Sequence, residues 1–276
     1  MRNNVFSYPG GKFSMADWII DHFPDHDCYV EVFGGSAAVL SQKKPSSAEV
    51  LNDRDGDIVQ FFEVLRDRAN ELIAWLRDTP HSRELHRKYG EQFYNGYRPD
   101  DPVERAGRFW YLRETSFGGK YESLSGYNGS VKRNVARRTR NKREQLRNYS
   151  RRFDHVQIEN LDFEALFERY DSDRTLFYCD PPYVEEGDAL YSGADFDHAR
   201  FVDCLAELEG DWIISYTDLP PQLETLAVRI DEREQRYRIA QGNGWEKTNT
   251  ERLVMNYDLE RRATFEYAGQ TSVDDF

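Results

Sequence analysis

Apolar residues fall into short blocks along this chain, and their spacing changes from block to block. The runs CYVEVF (28–33) and AEVLND (48–53) are brief and apolar, and each stops at a glycine-rich or polar turn, so both read as strands. Between them, SAAVLSQ (36–42) is compatible with a helix. The pattern then turns helical: in DGDIVQFFEVLRDRANELIAWLRD (55–78), Ile58, Phe61, Phe62, Leu65, Leu72, Ile73 and Leu76 sit at helical spacing. Further on, HVQIE (155–159), TLFYC (175–179) and DWIISY (211–216) read as strands, and DFEALFERY (162–170) and DFDHARFVDCLAEL (195–208) as helices. QRYRIA and RLVMNYDL flank GNGW, with Asn243-Gly244 in the turn, and predict a closing antiparallel hairpin. Strand alternating with helix predicts an α/β fold, a mostly parallel sheet with helices on both faces.

Between residues 80 and 152 this rhythm breaks, and Gly, Tyr, Asn and Arg take over. The expectation is one domain built from 1–79 and 153–276, interrupted by an inserted region at 80–152. Inside the insert, RFWYLRETSFGGKYESLSGYNGS mixes aromatics with hydrogen-bonding groups and leads into KRNVARRTRNKREQLRNYSRR (132–152). That second run holds ten basic residues and one acid, Glu144, in a chain whose net charge is −13. An isolated basic stretch on an acidic protein offers one place for a polyanion to dock. Aromatics interleaved with cations suit stacking on bases and gripping phosphates. Arg113, Arg137, Arg138 and Arg140 are therefore candidates for phosphate or base contacts. Lysine supplies only eight of the 37 basic residues, and with the acidic excess this predicts a surface suited to concentrated salt.

No apolar run approaches a membrane span, and MRNNVFSYPGGK lacks the layout of a signal peptide, so a cytoplasmic protein is expected. Cys28, Cys179 and Cys204 show neither CxxC nor Cys/His metal spacing and read as buried thiols; no metal is expected. The GGK at 10–12 fails as a phosphate loop because Phe6 and Phe13 occupy positions that need Gly and Ser or Thr.

In an open parallel sheet, ligands bind beyond the carboxyl ends of the strands. Those ends are Glu31-Val32-Phe33-Gly34-Gly35, then Asn52-Asp53, then Asp180-Pro181-Pro182-Tyr183. A glycine turn admits a ligand close to backbone, and an acid about 20 residues on can take ribose hydroxyls. Asp53 stands 19 residues after Gly34, although the full GxGxxG spacing is missing.

Taken in order, five motifs resemble the DNA adenine methylase (Dam-like) family of amino-methylating DNA methyltransferases. FSYPGGK (6–12) and YVEVFGGSAAVL (29–40) resemble its two cofactor motifs, LNDRDGDIVQFFEVLR (51–66) its ribose-binding acidic motif, NLDF (160–163) its adenine-contacting motif and DPPY (180–183) its catalytic motif. FWYLRETSFGG resembles the start of its target-recognition region, and the likeness runs to about residue 258. Val32 departs from the Pro common in the family. The resemblance implies a Rossmann-like methyltransferase sheet, S-adenosylmethionine as cofactor and double-stranded DNA as substrate, with methylation of the N6 amine of an adenine flipped out of the helix. It implies no obligate protein partner.

By the same resemblance, Asp180, Pro181, Pro182 and Tyr183 are catalytic. Tyr8, Gly10, Gly11, Lys12, Glu31, Phe33, Gly34, Gly35, Asp53, Asp162 and Phe163, with Asp180, border the cofactor. Arg113, Ser116, Phe117, Gly118, Lys120, Lys132, Arg133, Arg137, Arg138, Arg140 and Arg147 are the candidate DNA contacts. N4-cytosine methylation, an RNA substrate and a DNA-binding protein that has lost catalysis stay open. Carbon-5 cytosine methylation is excluded by the lack of a Pro-Cys pair, and base deamination by the lack of its zinc-binding pattern.

Overall fold

The computed structural model describes residues 4–117, 123–131, 133–182, 196–217, 219–238 and 246–259. In chain order the regular elements are α1 (Ala16–Ile20), β1 (Cys28–Glu31), β2 (Ala48–Asn52), α2 (Gly56–Asp67), α3 (Ala69–Asp78), α4 (Arg83–Tyr94), α5 (Pro102–Thr115) and α6 (Val135–Phe153). They continue as β3 (Gln157–Glu159), α7 (Phe163–Tyr170), β4 (Thr175–Cys179), α8 (His198–Glu207), β5 (Asp211–Tyr216), α9 (Pro221–Leu226), β6 (Arg229–Arg238) and β7 (Glu246–Met255). The strands follow the order β3-β2-β1-β4-β5-β7-β6, seven among the described residues. Contacts divide the chain into two compact units, Met1–Asp17 with Phe33–Asp162, and Trp18–Val32 with Phe163–Phe276.

In the first unit β2 runs parallel to β3, with Val50 opposite Gln157 and Asn52 opposite Glu159. Each helix start has a chemical cause. Asp55, Ser82, Asp101 and Asn134 accept hydrogen bonds from backbone N–H groups in the first turns of α2, α4, α5 and α6. Two expectations need correcting here. The single helix over 55–78 is two, because Arg68 leaves helical geometry between α2 and α3 (φ −129°, ψ 31°). SAAVLSQ forms turns instead of a helix: Gly35 and Ala37 are left-handed, with φ of 48° and 50°, which no α-helix accommodates.

The stretch from 80 to 152 is also more regular than its composition suggests, since it carries α4, α5 and α6. Alternation is hidden on α5 because every residue from Phe109 to Thr115 is buried, Arg113 and Glu114 included. The inward face of α6 runs Val135, Thr139, Lys142, Leu146, Tyr149 and Phe153, and two polar members mask its helical period. Both α5 and α6 pack against α2 and α3.

An aromatic cluster centres this unit. Phe6 lies 5.2 Å from Phe61, 5.2 Å from Phe109 and 5.9 Å from Phe62, ring centre to ring centre. The N-terminal segment is pinned on either side of it: the Trp110 indole donates to the Val5 carbonyl (2.9 Å), and the Ser7 amide donates to Glu114 (2.7 Å).

The second unit holds the parallel pairs β1–β4 and β4–β5 and the antiparallel pairs β5–β7 and β6–β7. All five residues of β4 are buried, which explains its unbroken apolar run. Phe163 and Phe167 of α7 and Phe201 of α8 form a cluster joined by Phe177 and Phe196. The closing hairpin is present as β6 and β7, its loop lying outside the described residues. Among the described residues no helix is long and apolar enough to cross a membrane. Cys179 is buried, while Cys28 and Cys204 are only half-buried.

Replacing Phe6 by Ala should cost about 3–5 kcal/mol, because the ring fills the centre of a cluster that cannot close around the gap. Urea unfolding monitored by circular dichroism should show the lower midpoint; a loss below about 1 kcal/mol would mean the cluster collapses freely.

Candidate active site

The first unit builds a sheltered acidic corner from a glycine turn and a strand end. The Gly34 amide donates to the Asn52 carbonyl (2.7 Å), laying the turn directly on the end of β2. A Cβ on Gly34 would stand 2.6 Å from Leu51 Cδ1 and 2.8 Å from the Asn52 carbonyl oxygen, so only glycine fits without displacing backbone. The next amide, that of Gly35, donates to Asp53 Oδ2 (2.7 Å), and the Asp55 amide donates to Asp53 Oδ1 (2.8 Å). Lost hydration outweighs these bonds and pushes the Asp53 carboxyl up to about 6. Two bonded oxygens still leave acceptor capacity on a carboxylate. A reciprocal pair fixes the neighbouring strand end: Leu161 N–H donates to Asn52 Oδ1 (2.8 Å) and Asn52 Nδ2 donates to the Leu161 carbonyl (3.1 Å). Asp162 follows directly at the end of this unit.

The N-terminal motif closes over the same turn. A Cβ on Gly35 would meet the Tyr8 ring at 3.1 Å, and one on Gly11 would meet the Tyr8 carbonyl oxygen at 3.3 Å and Ser36 Oγ at 3.5 Å. Gly10 takes φ of 68°, which reverses the chain ahead of Lys12. The Lys12 side chain is buried and donates to the Gly10 carbonyl (3.3 Å). Tyr8, Gly10, Gly11, Lys12, Gly34, Gly35 and Asp53 are thus brought together within the first unit, with Phe33 opening the turn.

In the second unit the end of β4 carries the other acid. Register places Tyr178 beside Ile213 and Cys179 beside Ile214, so Asp180 emerges next to Ser215. The Ser215 hydroxyl donates to Asp180 Oδ1 (3.1 Å) and lies 3.1 Å from the Tyr178 hydroxyl. Pro181 is buried and Pro182 half-buried; Tyr183 lies outside the described residues. Neither proline can donate a backbone hydrogen bond. Glu31, at the end of β1, is buried and accepts from the Tyr29 hydroxyl (2.9 Å). The Phe163 ring is 5% exposed, held in the α7–α8 aromatic cluster with the Arg200 guanidinium over it at 4.4 Å.

The basic run divides by burial. Arg133, Arg137, Arg138, Arg140 and Arg147 are exposed, and Arg133, Arg137 and Arg138 line an open cleft with Asn4, Ser7 and Asn141. Lys142 and Arg152 instead face inward, Lys142 to Glu114 (2.6 Å) and Arg152 to Glu49 (2.6 Å). Arg113 requires a correction: it is 1% exposed, donates to the Tyr94 hydroxyl (2.9 Å) and lies over the Phe93 and Phe109 rings, leaving no surface for a phosphate. Ser116 is corrected on the same ground, being only 4% exposed at the end of α5, whereas Phe117 is 58% exposed. Gly118, Lys120 and Lys132 lie outside the described residues.

Sequence reasoning missed Ser215, Tyr178 and the Glu114–Lys142 pair. Pairing TLFYC with DWIISY in parallel register would have set Ser215 beside Asp180. No comparable signal existed for Glu114 and Lys142, which are 28 residues apart on different helices. Among the described residues no group of His, Cys, Asp and Glu could hold a metal ion.

Comparison with known proteins identifies the family of this chain. The model of the D12 class N6 adenine-specific DNA methyltransferases matches residues 8–237. The chain is 26% identical to the DNA adenine methylase of Escherichia coli (strain K12) over 192 residues, covering 66% of each protein. It is 24% identical to the type II methyltransferase M.CviBI of Paramecium bursaria Chlorella virus NC1A over 270 residues, 92% of this chain and 99% of that one. It is 26% identical to the DNA N-6-adenine-methyltransferase of Escherichia phage P1 over 223 residues, 74% of this chain and 28% of the phage protein. This chain, with a glycine turn held on Asp53 and an Asp-Pro-Pro sequence following a buried strand, belongs to the D12 class N6 adenine-specific DNA methyltransferase family.

Proposed function

We propose that this enzyme uses S-adenosylmethionine to methylate the N6 amine of adenine within a specific sequence of double-stranded DNA. One observation carries the reading: Asp180 follows a fully buried parallel strand, stands directly before Pro181 and Pro182, and is held by Ser215. An exocyclic amine is a poor nucleophile while its lone pair is delocalised into the base. Acceptors aimed at its hydrogens localise that pair and favour a pyramidal nitrogen as positive charge develops. Asp180 accepts one hydrogen and the Pro181 carbonyl the other; Pro182, having no N–H, cannot tie the turn back. Tyr183 stacks on the flipped adenine.

The first unit supports a nucleoside-type cofactor. Gly34 and Gly35 keep the turn free of side chains, Tyr8 covers it, and Asp53 retains acceptor capacity that suits ribose hydroxyls. Lys12, Gly10, Gly11, Phe33 and Asp162 complete the proposed cofactor residues of this unit; Glu31 and Phe163, in the second unit, are proposed on their motifs alone. S-adenosylmethionine supplies a methyl group on a positively charged sulfur. The protein's part is to orient the amine and exclude water around it. DNA is gripped by the exposed arginines of α6 and the segment before it, Arg133, Arg137, Arg138, Arg140 and Arg147, with Phe117, Gly118, Lys120 and Lys132 in the recognition region. Such an enzyme works where chromosomal DNA is found, which in a cell without a nucleus is the cytoplasm.

Incubation with labelled S-adenosylmethionine and unmethylated genomic DNA across a KCl series, followed by nucleoside mass spectrometry, should yield N6-methyladenine. N4-methylcytosine would identify the other amine as the target, and no label at any salt would contradict the reading.

The raised carboxyl of Asp53 gives a pH dependence with a definite sign. Its neutral form dominates below about 6 and can no longer accept from two hydroxyls, so cofactor affinity should fall as pH drops. Calorimetric titration should show binding about tenfold weaker at pH 5 than at pH 7.5; a flat profile would remove Asp53 from the ribose site.

Neutralising Arg137, Arg138 and Arg140 together should weaken DNA binding across sequences. If each meets one phosphate, the slope of log affinity against log salt should shrink by about 0.9 per arginine lost. An unchanged slope would place the DNA elsewhere.

A further inference from the structure

We propose that Ser215 and Tyr178 act as a buried positioning relay that fixes the rotation of the Asp180 carboxylate. The inference rests on the catalytic role assigned to Asp180 above. Hydrogen counting sets the direction of the relay. Ser215 has a single hydroxyl hydrogen, and it goes to Asp180 Oδ1 at 3.1 Å. The Tyr178 hydroxyl, 3.1 Å from Ser215 Oγ, must then be the donor to the serine. Burial, with the nearby Asp180 charge as a second cause, holds the Tyr178 hydroxyl well above its ordinary range, so it keeps its proton and remains a donor.

The backbone explains why the three groups meet. Tyr178 and Asp180 are two apart and project to the same face of the sheet. Parallel pairing of Tyr178 with Ile213 and Cys179 with Ile214 sets Ser215 on that face beside Asp180. Ser215 is 0% exposed and Tyr178 1% exposed, so water cannot take over either bond. β5 is itself held on its other side, where Ser215 stands opposite Leu253 of β7. A carboxylate at a strand end can rotate about its last torsion; a donor seated on the adjacent buried strand removes that freedom.

Ser215→Ala should lower the single-turnover rate of methyl transfer roughly 10- to 100-fold, the scale of loss for a misplaced catalytic group. Affinities for S-adenosylmethionine and DNA and the melting temperature should stay near wild type. Tyr178→Phe should act in the same direction more weakly, because Ser215 keeps its own hydrogen. Ser215→Thr, which retains the hydroxyl, should recover rate relative to Ser215→Ala. Asp180→Ala serves as the reference. An inactive Asp180→Ala beside a Ser215→Ala within twofold of wild type would overturn the relay alone. An active Asp180→Ala would overturn the catalytic assignment beneath it. Equal losses of rate, binding and melting temperature in Ser215→Ala would show Ser215 to be merely structural.

Discussion

A carboxylate at the end of a buried strand has to be held by donors, since an unpaired charge away from water is costly. Two acids in this chain meet that constraint in different ways. Asp53 is held by backbone, through the amides of Gly35 and Asp55, whereas Asp180 is held by a side chain, the hydroxyl of Ser215. Backbone donors tie the acid to the shape of a loop, and the loop can keep that shape only if Gly34 and Gly35 lack side chains. A side-chain donor ties the acid to the neighbouring strand, so its placement follows from sheet register. The first arrangement depends on the shape of a loop and the second on the pairing of two strands.

The conformations that shape the glycine turn carry a cost. Gly35 and Ala37 both sit in the left-handed region, and at Ala37, which is not glycine, that geometry is strained. Compensation comes from packing around the turn: Val39 and Leu40 are fully buried behind it, and the Phe6 cluster anchors the segment that carries Tyr8. Helices α5 and α6 serve the same end. Glu114 of α5 accepts from Ser7 N–H and from Lys142 of α6, so the N-terminal motif, the buried helix and the arginine-bearing helix share one carboxylate oxygen.

Strands were legible where burial is complete, as in TLFYC, and where a short apolar run ends at a polar turn, as in AEVLND. The glycine turn, Asp53 and Asp180 were legible because strand ends are where an α/β sheet binds its ligands. Helices α5 and α6 escaped because their inward faces carry Arg113, Glu114, Thr139 and Lys142, which apolar periodicity does not count. Arg113 misled for the same reason: charge in a sequence does not reveal whether the side chain is wrapped by Phe93 and Phe109. Ser215 was invisible because its role belongs to the pairing of two strands, and neither strand alone carries that information.

The central claim is that Asp180 works as an acceptor toward the amine, and an isosteric change isolates that property. Single-turnover methyl transfer by Asp180→Asn, with saturating cofactor and a duplex containing the target site, measures it most directly. The rate should fall at least about 100-fold, the scale seen when one transition-state hydrogen-bonding group is lost, while DNA affinity holds. A rate within a few-fold of wild type would contradict it.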